Sequence, residues 1–374
     1  MDRYVDADVD ADAVRASGAG PGPLPAARRA AYAEVGARLS LLSDRALGDA
    51  VAAAPAQGSG IGGRRAEMAV AGRRVFVKRV PLTDLERRPE HLRSTANLFG
   101  LPVHYQYGVG SAGFGAWREL AAHLMTTAWV LGDAYQGFPL LYHWRVLPDR
   151  PPADFADEFG GIDGAVAHWE GSGAVRRRLE AIGNSSASLV LFLEHLPRTL
   201  ADRFTDVREG AWAEPGGCAP YLWAERELLR GTAFMSAHGL VHFDTHFANL
   251  LTDGHRIYFT DFGLALSRDF DLTPEESAFL TDHLVYDRSY APWHLLRHHL
   301  PAPVRKALDQ EPFLKTWPTA PRPHALPPEL TTLLDRHAPH ATILDEFHRR
   351  LIEKSKRTRF PGDEVRRELR RGGG

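Results

Sequence analysis

Cysteine is almost absent: Cys218 is the only one in 374 residues. A single thiol excludes an internal disulfide framework and any zinc site built on cysteines. Long apolar runs are missing too, so no stretch reads as a membrane span. Charge of one sign is not in excess. The 45 Lys and Arg against 47 Asp and Glu leave a formal net charge of -2, which points to neither nucleic acid nor a membrane surface. The start, MDRYVDADVDADAV, is acidic where a signal peptide is basic and then apolar. No internal repeat is visible. These absences give the expectation of a cytoplasmic protein with no nucleic-acid and no membrane partner. What is present is ordinary: 44% hydrophobic and 25% charged residues, the proportions of a globular chain with a sizeable core. The length suits two or three domains, or one two-lobed enzyme.

Residues 1–25 are rich in Asp, Ala, Gly and Pro without periodicity, the composition of a disordered tail. Over 26–54 an Ala- and Leu-rich pattern predicts a helical extension, with Leu39, Leu41, Leu42 and Leu47 as its apolar positions. AEMAV and RRVFVKRV read as two strands of a hairpin joined at Ala71-Gly72. Residues 83–97 suit a short helix. Ala116 to Leu131 predicts a stronger one, because Leu120, Leu124, Ala128 and Leu131 recur at helical spacing. FPLLYHWRVLP is a strand ended by Pro148, residues 149–187 are a Pro/Gly-bounded insertion with one or two helices, and ASLVLFLEHL is a buried strand. Tyr221 to His238 is a long helix with Leu222, Leu229 and Ala233 on one face, stopped by Gly239. RIYFTDFGLAL holds another short strand. At TPEE, Thr273 is an N-cap, Pro274 the first helical residue, and Glu276 closes a capping box. The remainder reads as helical with proline breaks, and the basic end, 351–374, as a solvated helix that frays. Strands first and helices later is an α+β order, with a paired-strand insertion at 240–263.

Several residue types then ask for chemistry. Gly58, Gly60 and Gly63 form G-x-G-x-x-G. A dinucleotide fold needs a strand before this motif and a helix after it. Here a helix precedes and two strands follow, which suits a glycine loop whose bare backbone approaches phosphates. Lys78 lies in VFVKRV, with Phe76 and Lys78 on the face opposite Val75 and Val77. That spacing lets a hairpin set the ammonium under the glycines. GLVHFDTHFANLL carries His242, Asp244, His246 and Asn249, and Asp261 follows twelve residues after Asn249. Phosphoryl transfer needs a carboxylate to orient the acceptor hydroxyl, a role open to Asp244. It also needs oxygen ligands for magnesium, open to Asn249 and Asp261. Taken singly, Asp244 and Asn249 also fit turn hydrogen bonds.

In this order GSGIGG, VFVKR, VHFDTHFANLL and TDFGLA resemble the protein-kinase-like superfamily, over roughly residues 55–300. The resemblance implies a two-lobed protein-kinase-like fold: an N-terminal antiparallel sheet lobe over 55–196, holding the 149–187 insertion, and a mainly helical C-terminal lobe over 197–350. It implies ATP and Mg2+ as cofactors. It implies that Gly58, Gly60 and Gly63 cover the phosphates and that Lys78 contacts the α/β-phosphates. Glu194 to Leu196 would offer backbone hydrogen bonds to adenine, Asp244 would be the catalytic base, and Asn249 and Asp261 would hold the metal. The lysine needs a glutamate partner. Glu119 is expected because it sits on the best helix; Glu86 and Glu90 are nearer but lie in a polar segment broken by Pro89.

Three departures bear on the acceptor. Phe243 stands where many protein kinases have an arginine, so no side chain there would pair with a phosphorylated loop. His246 resembles the aminoglycoside and choline phosphotransferase branch, and would help balance γ-phosphate charge. Thr273 follows Gly263 by only ten residues and no A-P-E is present, leaving little chain for docking a peptide. The acceptor is then a hydroxyl on a small molecule or a protein Ser/Thr. His242 is expected to brace the loop near Phe262. The non-enzymatic alternative is a pseudokinase, against which the lysine, the base and both metal ligands are all present.

Overall fold

The structure is a computed structural model and describes residues 23–371 apart from 61–62, 154, 208–212, 309–312, 318, 320–321 and 323–325. Positions 1–22 of the expected tail lie outside the described residues. Its last residues are not tail-like: Leu24 is buried and its N–H donates to Asp133 at 2.6 Å. The alanine-rich stretch forms two helices, α1 (Ala26–Ser40) and α2 (Asp44–Ala53). Ser43 separates them by accepting the Ala46 N–H as the cap of α2. Leu39 and Leu47 are buried as expected. Leu41 is 82% exposed, because it is the C-cap of α1 and sits in the turn between the helices.

Five strands, β1 (Ala56–Gly60), β2 (Gly63–Val70), β3 (Arg73–Leu82), β4 (Leu141–Pro148) and β5 (Ala187–Glu194), form an antiparallel sheet in the order β1-β2-β3-β5-β4. The glycine segment therefore starts in a strand of its own, which the sequence reading lacks. β2 and β3 are the expected hairpin. Ala71 and Gly72 both take positive φ, 49° and 73°, the two-residue turn whose twist matches that of the strands. β5 is flanked by β3 and β4 and is buried from Ala187 through Leu193, which explains its apolar run. Helix α3 (Ala116–Leu131) has the expected bounds and packs Trp117 and Leu120 against Val80, Leu82, Leu189 and Leu191 of the sheet.

The expected helix at 83–97 does not form; only a 3-10 turn appears at Pro89–His91. The Glu86 carboxylate accepts the Thr83 N–H at 3.0 Å and its hydroxyl at 2.7 Å, folding the chain back, and Pro89 removes a helix donor. The 83–115 connection instead packs on the insertion. Phe99, Tyr105 and Phe114 share an apolar cluster with Trp169, Leu179 and Ile182, carried by or next to α4 (Ile162–His168) and α5 (Gly173–Gly183).

Beyond β5 the chain is mainly helical. After β6 (Arg198–Thr199) come α6 (Leu200–Thr205), α7 (Ala219–Ala237), β7 (Leu240–Val241), β8 (Leu250–Thr252), β9 (Ile257–Phe259) and β10 (Leu266–Ser267). β6-β8-β9 make one small sheet and β7-β10 another. α7 buries Tyr221, Ala224, Leu228, Gly231 and Met235, while the expected face, Leu222, Leu229 and Ala233, is only half buried. The small residues select the inner face: Phe259 lies where a side chain on Gly231 would stand. α8 (Pro274–His283) opens with the expected capping box on Thr273 and Glu276. α9 (Tyr286–His294), α10 (Ala302–Leu308), α11 (Phe313–Thr316), α12 (Pro328–Glu353) and α13 (Gly362–Arg371) follow.

The basic end is docked, contrary to the expectation of a solvated, frayed helix. Leu351, Phe360 and Val365 join the main core, and Glu170 of the insertion accepts the Ser355 hydroxyl at 2.6 Å and the Lys356 N–H at 2.7 Å. The chain is α+β, with one five-stranded antiparallel sheet and roughly half its residues helical. No helix among the described residues is long and apolar enough to cross a membrane.

Candidate active site

β3 pairs Lys78 with Arg65 on β2 and Leu191 on β5. The Lys78 ammonium is buried and donates to Glu119 at 2.6 Å and to Asp261 at 2.8 Å. Burial alone would depress the ammonium; the Asp261 and Glu119 carboxylates outweigh it and hold Lys78 above its ordinary value. Burial would likewise raise Asp261, but the Lys78 charge and hydrogen bond keep it at about 2. Glu119 is thus the lysine's partner, reached across forty-one residues. Glu86 does another job. It accepts the Ala116 N–H at the start of α3 (2.8 Å) and pairs with Arg178 of α5 (3.0 Å). Arg118, next to Glu119, forms a buried pair with Glu276 on α8 at 2.6 Å. Both ends of the connection holding Glu119 are therefore fixed by buried charge.

β7 leads into the polar loop. His242 is buried, its Nε2 2.8 Å from the Thr260 carbonyl and its ring 5.0 Å from Phe262, the bracing position expected of it. Phe243 takes φ 65°, a left-handed backbone costing a non-glycine residue on the order of 1–3 kcal/mol. Asp287 of α9 holds it there, accepting the His242 N–H at 2.6 Å and the Phe243 N–H at 3.1 Å. Stacking of the Phe243 ring on Phe279 adds to this. Asp244 follows directly. Its carboxylate accepts Asn249 Nδ2 at 2.8 Å and lies 3.5 Å from His246 Nε2. Burial opposes charge on His246, but its hydrogen bond and charge interaction with Asp244 raise it above the ordinary imidazole value.

Two cavities meet at these groups. One, of about 260 Å³, gathers Lys78, Glu119, Asp244, His246, Asn249 and Asp261 beneath Gly63. The other, of about 320 Å³, shares Lys78, Asn249 and Asp261 with it and extends to Glu194 and Leu196. Gly58 and Gly60 sit on β1, Gly58 outside both linings, and Gly63 lines the first. Glu194 donates its N–H to the Leu140 carbonyl at 2.8 Å, because the sheet continues to that point. Its carboxylate accepts two hydrogen bonds from Arg28 of α1, at 2.8 and 2.6 Å. Leu196 remains on the cavity wall.

A second glycine-rich stretch, YGVGSAGFG at 107–115, lies on the other side of Asp244. Asp244 Oδ1 occupies the space a Cβ on Gly108 would need. Gly113, at φ 70°, brings its Cβ position to 2.5 Å from the Gly263 carbonyl oxygen, so only glycine fits there. Ser111 and Ala112 line the first cavity. Four glycines in nine residues were a readable signal that the sequence reading passed over. Beyond Gly108 a third cavity, of about 340 Å³, is walled by Phe243, Tyr286, Tyr290, Trp293 and His348. Arg65, Arg178 and Asp287 were also missed; none lies in a local motif.

For a metal, the oxygen donors lining the first cavity include the Asp261 carboxylate and the Asn249 amide oxygen, left over when Nδ2 bonds Asp244, beside the Glu119 and Asp244 carboxylates. Among the described residues no group of three or more His, Cys, Asp or Glu side chains is arranged around a common metal position. A pair of oxygen donors fits magnesium, which takes one or two protein ligands beside phosphate oxygens and water. No protein-family model matches the chain, and no curated protein matches it either.

Proposed function

We propose that the chain is an ATP-dependent phosphotransferase with a two-lobed, protein-kinase-like fold, which moves the γ-phosphoryl group to a hydroxyl acceptor. One observation carries this reading. The Lys78 ammonium, held between Glu119 and Asp261, shares a cavity with Asp244 and Asn249, although these groups come from four separate stretches of sequence. Phosphoryl transfer asks the protein for positioning and charge stabilisation, and these are the groups for it. In this reading Lys78 contacts the α/β-phosphates. Asp244 orients the acceptor hydroxyl and takes its proton, while His246 adds positive charge beside it. Asn249 and Asp261 would hold magnesium, which when bound neutralises phosphate charge. The base lies in the second cavity beside Leu196. A small-molecule acceptor is favoured over a polypeptide, because the space beyond Gly108 is a concave cavity lined by aromatic and charged side chains and only a short segment separates Gly263 from α8.

Magnesium-dependent ATP turnover of the wild type and Asp244→Ala tests the reading. The variant should lose at least ~10²-fold, the scale on which general-base groups contribute. Equal turnover in both removes Asp244 from the mechanism. Nucleotide binding without turnover in the wild type makes the chain a binding module of the pseudokinase kind.

A further inference from the structure

Arg65 stands directly opposite Lys78 in the β2–β3 register. Directly paired residues of antiparallel strands project from the same face of the sheet. Arg65 accordingly lines both cavities, as Lys78 does. Its Nη2 lies 3.7 Å from where a Cβ on Gly58 would stand, so the guanidinium folds beneath the glycine strand.

The charge balance at this point is uneven. Lys78 is answered by Glu119 and Asp261. Arg178, the remaining cationic side chain of the first cavity's lining apart from His246, is answered by Glu86. The neighbouring strand arginines are paired too: Arg64 and Arg79 with Asp149, and Arg74 with Glu67. Among the described residues the Arg65 guanidinium has no hydrogen-bond or ion-pair partner, and the residue is exposed at the cavity wall. An accessible guanidinium on a cavity wall, with no counter-charge to displace, is open to an incoming anion.

We infer that Arg65 is a second nucleotide-binding cation, a bidentate contact for the polyphosphate alongside Lys78. This rests on the phosphotransferase reading above. A guanidinium offers two parallel N–H donors, a geometry matched to phosphate oxygens, and stays charged at any working pH. Phosphate answers its unpaired charge, whereas a neutral base stacked on it would leave that charge standing.

Titration calorimetry with magnesium present would compare ATP, ADP, AMP and adenosine on the wild type, Arg65→Met, Arg65→Lys and the control Arg64→Met. Arg65→Met should weaken ATP about tenfold or more, the scale of a lost charge-assisted hydrogen bond. The loss should shrink from ATP to AMP and vanish for adenosine. Arg65→Lys should recover part of it, and Arg64→Met should bind as the wild type does. ATP affinity within twofold of wild type in Arg65→Met overturns the inference. So does a loss for adenosine equal to that for ATP, which would mean a base contact. A wild-type chain that binds none of the four removes the nucleotide reading itself, and Arg65 with it.

Discussion

Alanine at Gly108 would carry a methyl group 3.1 Å from the Asp244 Cγ and nearer still to Oδ1, where ordinary packing starts at 3.4 Å. The carboxylate would have to swing aside by about 1 Å, the scale on which misplaced catalytic groups lose roughly 10²-fold in rate. It has little room to do so harmlessly. It accepts Asn249 at 2.8 Å, faces His246 at 3.5 Å, and follows a backbone held by Asp287. Global stability should change far less than turnover. Gly108 is not at positive φ, so alanine introduces no backbone strain. The gain of ~0.4–1 kcal/mol from a stiffer unfolded chain offsets part of an overpacking cost of ~1–3 kcal/mol. Basal ATP hydrolysis, nucleotide affinity and urea unfolding should therefore separate. Hydrolysis should fall about a hundredfold, ATP affinity should hold, and stability should drop by no more than ~2 kcal/mol. Gly48→Ala in α2, where nothing lies within 4 Å of the new methyl, is the control and should leave hydrolysis unchanged. Hydrolysis within threefold of wild type in Gly108→Ala would refute the claim that this loop sets the Asp244 position.

Two further outcomes follow from buried or perturbed charge. His246 is raised above its usual 6.5 by Asp244, so its stabilising contact is complete below that value and is lost as pH rises through the folded value. The difference in urea midpoint between wild type and His246→Gln should be largest at acid pH and fade toward alkaline pH; a difference that grows with pH contradicts it. Arg118→Met leaves Glu276 buried without its counter-charge, in a pair whose side chains are each 2% exposed, and should cost ~3–5 kcal/mol in urea unfolding. Adding Glu276→Gln, which keeps the capping box, should restore part of that loss; no recovery in the double variant would mean the pair is not what links α3 to α8.

Features set by neighbours in sequence were legible. α3 shows its bounds because its apolar residues repeat with the helix and glycines flank it at 115 and 132. The hairpin at Ala71-Gly72 and the Thr273 cap are likewise short-range devices. The site was legible where one segment carried several groups, as in the stretch from His242 to Asn249. It became opaque where a polar residue owed its role to a distant one. Glu86 reads as part of a polar surface segment, yet it is buried because Arg178, ninety-two residues on, and the start of α3 converge on it. Asp287 carries no motif, and its value lies in two N–H groups forty-four and forty-five residues earlier. The docked basic end was misread for the reverse reason: charge dominates its composition, while Phe360 and Val365 decide where it packs.

The 107–115 loop combines both difficulties. Its glycines invite a reading of flexibility, yet each marks a close approach to a different part of the chain. The space beside Gly108 is taken by Asp244, beside Gly110 by Phe159 of the insertion, beside Gly113 by the Gly263 carbonyl, and beside Gly115 by the Glu86 carboxylate. Glycine here permits contact, with no Cβ to hold the backbones apart. The loop is consequently a junction, touching the insertion, the Asp244 loop, the turn after Asp261 and the start of the helix that carries Glu119. Phe159 abuts Gly110, two residues from Gly108 and the Asp244 carboxylate beside it. The 149–187 insertion therefore meets the site at two places, through Phe159 at this loop and through Arg178 and Ile182 in the lining of the first cavity.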